Sequence, residues 1–170
     1  MEEILDVYDK NGNLLGQKTR SFCHSENAGV FHKAVWILVK NKKGEILIQK
    51  RSMNKKEDPG KWCDTPVAGH ISAGDSPIET CVRETKEELD IDTKPSDFIF
   101  LREFLNEAEW ELGQIYLLNK EIKLEDIKIQ KEEMDEVKYV SYDEFIKLLH
   151  SDEFSNEPKE YKDFIAEVLK

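Results

Sequence analysis

The stretch GHISAGDSPIETCVRETKEELDI, residues 69–91, decides how this chain is read. Ser76-Pro77 starts a helix within it. The serine hydroxyl can accept from the free amides of a first turn, and proline's fixed φ suits the first helical position. Ile78, Cys81, Val82, Thr85 and Leu89 then recur at helical spacing, which predicts one buried stripe. Glu84 stands three residues before Glu87 and four before Glu88, so the three carboxylates share a helical face. Like charges at these spacings cost a helix about 0.2–0.5 kcal/mol per pair. Arg83, four before Glu87, offsets part of that but cannot neutralise three acids. A solvated acidic surface would carry this pattern. So would a site for a hard divalent cation, since Mg²⁺ and Mn²⁺ take oxygen ligands. The preceding loop favours the cation: Gly69 and Gly74 bracket a turn whose backbone can approach a ligand closely, and Asp75 stands at the mouth of the helix.

On the N-terminal side, residues 4–8 alternate as a short strand, and Asn11-Gly12 signals a two-residue hairpin before Leu14-Leu15. Residues 21–31 are polar, contain Gly29 and read as a loop. Residues 33–40 (KAVWILVK) are the most apolar strand candidate, with residues 45–50 (EILIQK) as their hairpin partner across a turn at 41–44. Beyond the central helix, strands are expected at 98–105, 110–118 and 137–140. Ser141-x-x-Glu144 has the form of a capping box and opens a helix with Phe145, Leu148 and Leu149. A last helix carries Tyr161, Phe164, Ile165, Val168 and Leu169. Strands interspersed with three helices, without a linker or repeat, predict one α/β (α+β) domain over residues 1–170. Glu109 and Glu111 flank Trp110 on a predicted strand, so alternation sends both acids to one face. Trp36, Trp62 and Trp110 are read as core residues.

The net charge of −11 sets the class of partner. An acidic surface repels nucleic-acid phosphates and argues against counterion-release binding to DNA or RNA. A phosphorylated small molecule remains compatible if divalent cations reverse the local sign. Cys23, Cys63 and Cys81 are odd in number and form no C-x-x-C pair, which suggests reduced thiols in a cytoplasmic protein. The acidic opening MEEILDVYDK lacks the features of a signal peptide, and no apolar run reaches the roughly 20 residues of a membrane span. No membrane partner is expected, and a homodimer stays open.

Residues 69–91 resemble the Nudix box, G-x5-E-x7-R-E-U-x-E-E-x-G-U, where U is a bulky aliphatic. Gly69, Arg83, Glu84, Glu87, Glu88 and Ile91 match at the required spacings. Asp75 replaces the first glutamate, Thr85 an aliphatic and Asp90 the late glycine, the last bearing on how the helix ends. The resemblance implies a Nudix-type α/β/α sandwich with a mixed central sheet. It implies Mg²⁺ or Mn²⁺ held by Glu84, Glu87 and Glu88 with the Ala68 carbonyl, and Arg83 orienting the glutamates. Family members cleave a diphosphate linkage by attack of water on phosphorus. Glu84 and Glu133 are the candidates for general base, with Glu132 and Asp135 near enough to blur the choice. The substrate expected is a nucleoside diphosphate derivative or another organic diphosphate.

The chain also resembles the isopentenyl-diphosphate isomerase branch through Gly12, Gly16, Arg20, His24, His32, Gly44 and Pro59-Gly60-x-Trp62. That likeness implies a metal held by residues corresponding to His24, His32, His70, Glu109 and Glu111. His70, inside the box loop, is expected to contact phosphate or support the site. His32, Glu109 and Glu111 are expected on the substrate side. The isomerase's catalytic cysteine falls at Ala68, which cannot transfer a proton, so hydrolysis ranks above isomerisation. A catalytically silent binding domain would call for eroded glutamates, and all three are present.

Overall fold

The computed structural model describes residues 2–25 and 28–170. Its first hairpin pairs β1 (Ile4–Tyr8) with β2 (Leu14–Thr19). The connection occupies residues 9–13 instead of two residues: the Asp9 carboxylate accepts from the Asn11 and Asn13 amides, and Gly12 takes a φ of 80°. A short helix, α1 (Arg20–Cys23), follows, capped by the Thr19 hydroxyl. The loop expected over 21–31 therefore begins as helix, and Glu26 and Asn27 within it lie outside the described residues. The chain continues through β3 (Phe31–Val39), β4 (Ile46–Arg51), β5 (Trp62–Cys63), β6 (Val67–His70), α2 (Pro77–Leu89), β7 (Phe98–Asn106), β8 (Glu111–Leu118), β9 (Met134–Val140), α3 (Tyr142–Leu149) and α4 (Lys159–Val168).

Strand β3 is apolar on both faces because both faces are covered. Val35, Ile37 and Val39 enter one core with Cys81 and Leu89 of α2. Leu38 and the partly buried Trp36 enter the other, with Phe145 and Leu149 of α3 and Tyr161 and Ile165 of α4. Helices thus lie outside two cores on opposite sides of the strands, the expected α/β/α layering. The larger sheet runs β2-β1-β3-β8-β7, with β6 also on β3. Its β3–β8 pair is parallel and its other pairs are antiparallel, so the sheet is mixed. Among the described residues no helix is long and apolar enough to cross a membrane.

One pairing differs from the sequence reading. Residues 45–50 do not form a hairpin with β3; after an isolated Lys40–Ile46 bridge, β4 pairs with β5 and β9 in a second sheet. A strand has two edges, and those of β3 are taken by β8 on one side and by β1 and β6 on the other. The alternation in β4 is real, but both its faces are buried: Leu47 joins the core under α2, while Ile46 and Ile48 join the other.

The ends of α2 follow its sequence. Ser76 and Glu79 form a reciprocal capping box with Pro77 in the first turn. Asp90, where the box motif has glycine, caps the C-terminus at φ 57°. That left-handed geometry is one Asp can adopt, and the Lys86 and Lys128 ammonium groups hold its carboxylate at 2.6 and 2.8 Å.

A buried acid ties α4 to the β5–β6 connection, with the half-buried Glu157 close enough to feel its charge. Asp64 is buried and accepts the Tyr161 hydroxyl at 2.8 Å. Burial pushes the Asp64 carboxyl up to about 6 against its hydrogen bonds. Burial, then the charge of Asp64, pushes Glu157 up to about 7. Carboxyls raised above their unfolded values favour the fold while protonated, so the stability they contribute is lost as pH rises from about 4 to about 7. Resistance to urea is therefore expected to fall between about pH 4.5 and pH 8. Asp64→Asn should remove on the order of 2 kcal/mol of that change. Identical pH slopes for the two proteins would contradict this linkage.

Candidate active site

Strand β6, helix α2 and the turn before β8 bring the predicted residues, except His32, to one cleft of about 1010 Å³, and His32 is buried behind its wall. Its floor rests on a contact that only glycine allows. A Cβ on Gly69 would lie 2.1 Å from both Cδ and Oε1 of Glu84, so the helix glutamate lies directly on the strand backbone. Arg83 fixes it there. Its Nη1 donates to Glu84 Oε1 at 2.6 Å and to Glu87 Oε2 at 3.4 Å, and its Nη2 donates to the His70 carbonyl at 3.2 Å. One guanidinium thus joins two helix acids to β6.

The three helix glutamates all face the cleft but differ in exposure. Glu84 and Glu88 are buried, whereas Glu87 is exposed. Burial, followed by the charges of Glu84 and Glu133, holds Glu88 well above the usual carboxylate range, against the pull of Lys55 and the Ala68 amide. Burial also raises Glu84, with Arg83 opposing and Glu87 adding to the rise. Glu133, just before β9, enters the cleft and forms an ion pair with Lys55.

Beside the acids lies a cluster of histidines. His24 follows α1, His32 lies on β3 and His70 ends β6. Among the described residues, their candidate metal-donor atoms all lie within 4.8 Å of one another. His24 Nε2 is 3.0 Å from His70 Nε2. Burial first, then the His70 and His32 rings, pushes His24 down to about 4, which leaves it neutral at pH 7. His32 is fully buried and neither ring nitrogen has a well-formed hydrogen bond. The Glu111 Oε2 lies 3.5 Å from its Nε2. The other Glu111 oxygen accepts the Trp36 indole N–H at 2.6 Å. Burial alone would raise Glu111, but His32, His70 and Trp36 outweigh it and hold the carboxyl below its usual range. Gly113 leaves room for this arrangement, since a Cβ there would lie 2.5 Å from the Trp36 ring.

The turn before β8 alters another expectation. Glu109 and Trp110 precede the strand, and Trp110 has a φ of 54°, so strict alternation does not reach them. Glu109, Trp110 and Glu111 nevertheless all line the cleft. The Trp110 carbonyl accepts the His32 amide at 3.0 Å, and its ring packs on Phe31. The reading of Trp110 as a core residue is therefore corrected. Four cations also line the cleft, Arg20, Arg51, Lys55 and Lys56, and none was singled out as a site residue. For Arg51, Lys55 and Lys56 the signal is the basic loop RSMNKK (residues 51–56) in an acidic chain, whereas Arg20 has no such local signal. No cysteine lines the cleft among the described residues: Cys23, Cys63 and Cys81 are buried elsewhere. Burial, then Asp64, pushes the Cys63 thiol up to about 12, so it does not replace a cysteine at Ala68.

A family model described as the NUDIX domain matches residues 30–164. The chain belongs to the Nudix family. It is 38% identical over 165 residues to Nudix hydrolase 3 of Arabidopsis thaliana, covering 89% of this chain but 21% of the plant protein. It thus spans about a fifth of that relative's length. The isomerase likeness is also present: the isopentenyl-diphosphate Delta-isomerase of Streptomyces avermitilis is 31% identical over 88 residues, 52% of this chain and 44% of that one. The crystal structure of DR0079 from Deinococcus radiodurans superposes with a TM-score of 0.73 over 98% of this chain and 97% of that one. At 18% identity that likeness concerns the Nudix fold alone.

The Gly69–Glu84 contact makes a direct prediction for this Nudix box. Gly69→Ala should destabilise the protein by about 1–3 kcal/mol in urea unfolding, because Arg83 and burial leave Glu84 little room to retreat. Adding Glu84→Ala should recover part of that loss. Strictly additive losses in the double variant would show that the contact is not the cause.

Proposed function

We propose that this chain is a divalent-metal-dependent hydrolase that cleaves a diphosphate linkage in a nucleoside diphosphate derivative or another small organic diphosphate. Residues 1–170 are read as its single Nudix domain. The observation that carries the reading is Glu88: a buried carboxylate pushed toward protonation beside Glu84, in a cleft also lined by cations. A divalent ion relieves that strain, and the oxygen donors suit a hard one. Glu84, Glu87, Glu88 and the Ala68 carbonyl would hold Mg²⁺ or Mn²⁺. Bound there, the ion offsets phosphate charge and lowers the pKa of the attacking water.

The chain's own groups supply the rest. Arg83 holds Glu84 and Glu87 in place. Arg20, Arg51, Lys55 and Lys56 supply positive charge for the phosphate oxygens in an otherwise acidic protein. Water oxygen bonds to phosphorus as the bridging P–O bond breaks. Glu84 or Glu133 takes the proton, and the leaving oxygen departs as an anion or is reprotonated. His70, Glu109 and Glu111 line the substrate side, and the buried His32 stands behind them. The nitrogen donors of the histidine cluster, with Glu111 beside them, suit a first-row transition ion better than Mg²⁺ and form a candidate second metal position.

That cluster is also what favours the second reading, an isomerase acting on an allylic diphosphate. Ala68 and the absence of a cysteine along the cleft among the described residues rank it lower. Purified protein with Mg²⁺ or Mn²⁺ is expected to hydrolyse part of a panel of nucleotide sugars, dinucleotides, nucleoside triphosphates and isoprenoid diphosphates, giving phosphomonoesters or free phosphate. Chelation should abolish turnover, and Glu88→Gln should lower kcat by on the order of 100-fold or more while the protein stays folded. Turnover that survives chelator and Glu88→Gln would refute the assignment. Deuterium exchange into isopentenyl diphosphate without phosphate release would favour the isomerase.

A further inference from the structure

The N-terminal hairpin precedes the family match at residues 30–164, yet it is fastened along the loop that joins β6 to α2. The Ile4 carbonyl accepts the Ala73 amide at 2.8 Å, Leu5 bridges to Ser72, and the Asp6 carboxylate accepts the Gly74 amide at 3.2 Å. Arg20, at the start of α1, donates its amide to the Glu3 carbonyl at 2.9 Å. These bonds hold the Glu3 side chain at the cleft wall. Its Oε1 accepts the Ser72 hydroxyl at 3.2 Å, and its Oε2 lies 3.6 Å from His70 Nδ1. The second distance is longer than a direct hydrogen bond but within reach of a charge interaction. The other His70 nitrogen, Nε2, faces His24 Nε2 at 3.0 Å.

A neutral imidazole carries one proton, and its two positions here are not equivalent. On Nδ1 the proton faces a carboxylate. On Nε2 it faces another imidazole, in the space shared with His24 and His32. We propose that Glu3 is a positioning residue for His70, its carboxylate keeping the proton on Nδ1 so that Nε2 offers a lone pair to the histidine cluster. A carboxylate behind a ligating histidine sets its tautomer and raises its donor strength in just this way. The inference deepens the second metal position proposed above and rests on that reading for its purpose, though not for its geometry. It gives the N-terminal segment two parts in the site: His24, after α1, as a donor and Glu3, before β1, as the group that orients another.

The test is the His70 tautomer in metal-free protein near pH 8, read by ¹⁵N–¹H correlation NMR. The wild type should carry Nδ1–H with a bare Nε2. Glu3→Ala should move the proton toward Nε2, whereas Glu3→Gln, whose amide oxygen can accept, should keep it on Nδ1. Co²⁺ titration followed by visible absorption should show affinity about 10–100-fold weaker in Glu3→Ala, with a smaller loss in Glu3→Gln. A wild-type His70 protonated at Nε2 overturns the proposal, and that result needs no variant to fold. An unchanged tautomer and unchanged Co²⁺ affinity in Glu3→Ala overturn it equally. No substrate enters these measurements, so failure to hydrolyse any diphosphate would be a separate result.

Discussion

The close approach of Glu84 to the Gly69 backbone is the constraint on which the site depends. It sets how near α2 can lie to β6, and Arg83 secures the distance by bonding both helix acids and the His70 carbonyl. The helix must then be held at that spacing along its length. Cys81 and Leu89 do this by packing into the core that Val35, Ile37 and Val39 of β3 also fill. Strand β3 pairs with β6 on one edge and β8 on the other, so it connects the box to Glu111. One doubly buried strand therefore positions the acids, the histidine on β6 and the carboxylate opposite His32.

Electrostatics gives this geometry its chemical direction. Burying carboxylates is costly, and the chain meets that cost differently at each position. Glu111 has the Trp36 indole with His32 and falls below its usual range, whereas burial raises Glu84 despite Arg83 and, with neighbouring acids, holds Glu88 well above that range. Asp64 and Glu157 are also raised, but they sit against α4 instead of the cleft, and Tyr161 gives Asp64 a structural partner. Raised carboxyls alone therefore do not mark a site. What sets Glu88 apart is its place in a large cleft beside Glu84 and opposite Lys55 and Glu133.

Much of this was legible in the sequence because local rules governed it. Ser76-Pro77 and Ser141-x-x-Glu144 predicted two helix starts, and both capping boxes form. The spacing of Gly69, Arg83, Glu84, Glu87 and Glu88 brought those residues to one cleft. What depended on long-range competition was less legible. The alternation of residues 45–50 was visible, but nothing local showed that the edges of β3 were already occupied. The sequence pattern reads Trp110 as a strand residue, because nothing local signals its positive φ in the turn before β8. Besides Arg83, the cleft cations come from α1 and from β4 and the loop after it, and Glu3 lies far from the box in sequence. Only the fold brings them together.

Hydrolysis by water at phosphorus is the central claim, and the fate of the water oxygen tests it most directly. An organic diphosphate turned over with Mg²⁺ or Mn²⁺ in ¹⁸O-water should give one phosphorus-containing product bearing a single ¹⁸O atom, read by mass spectrometry. Turnover that leaves every phosphorus product unlabelled would contradict the account.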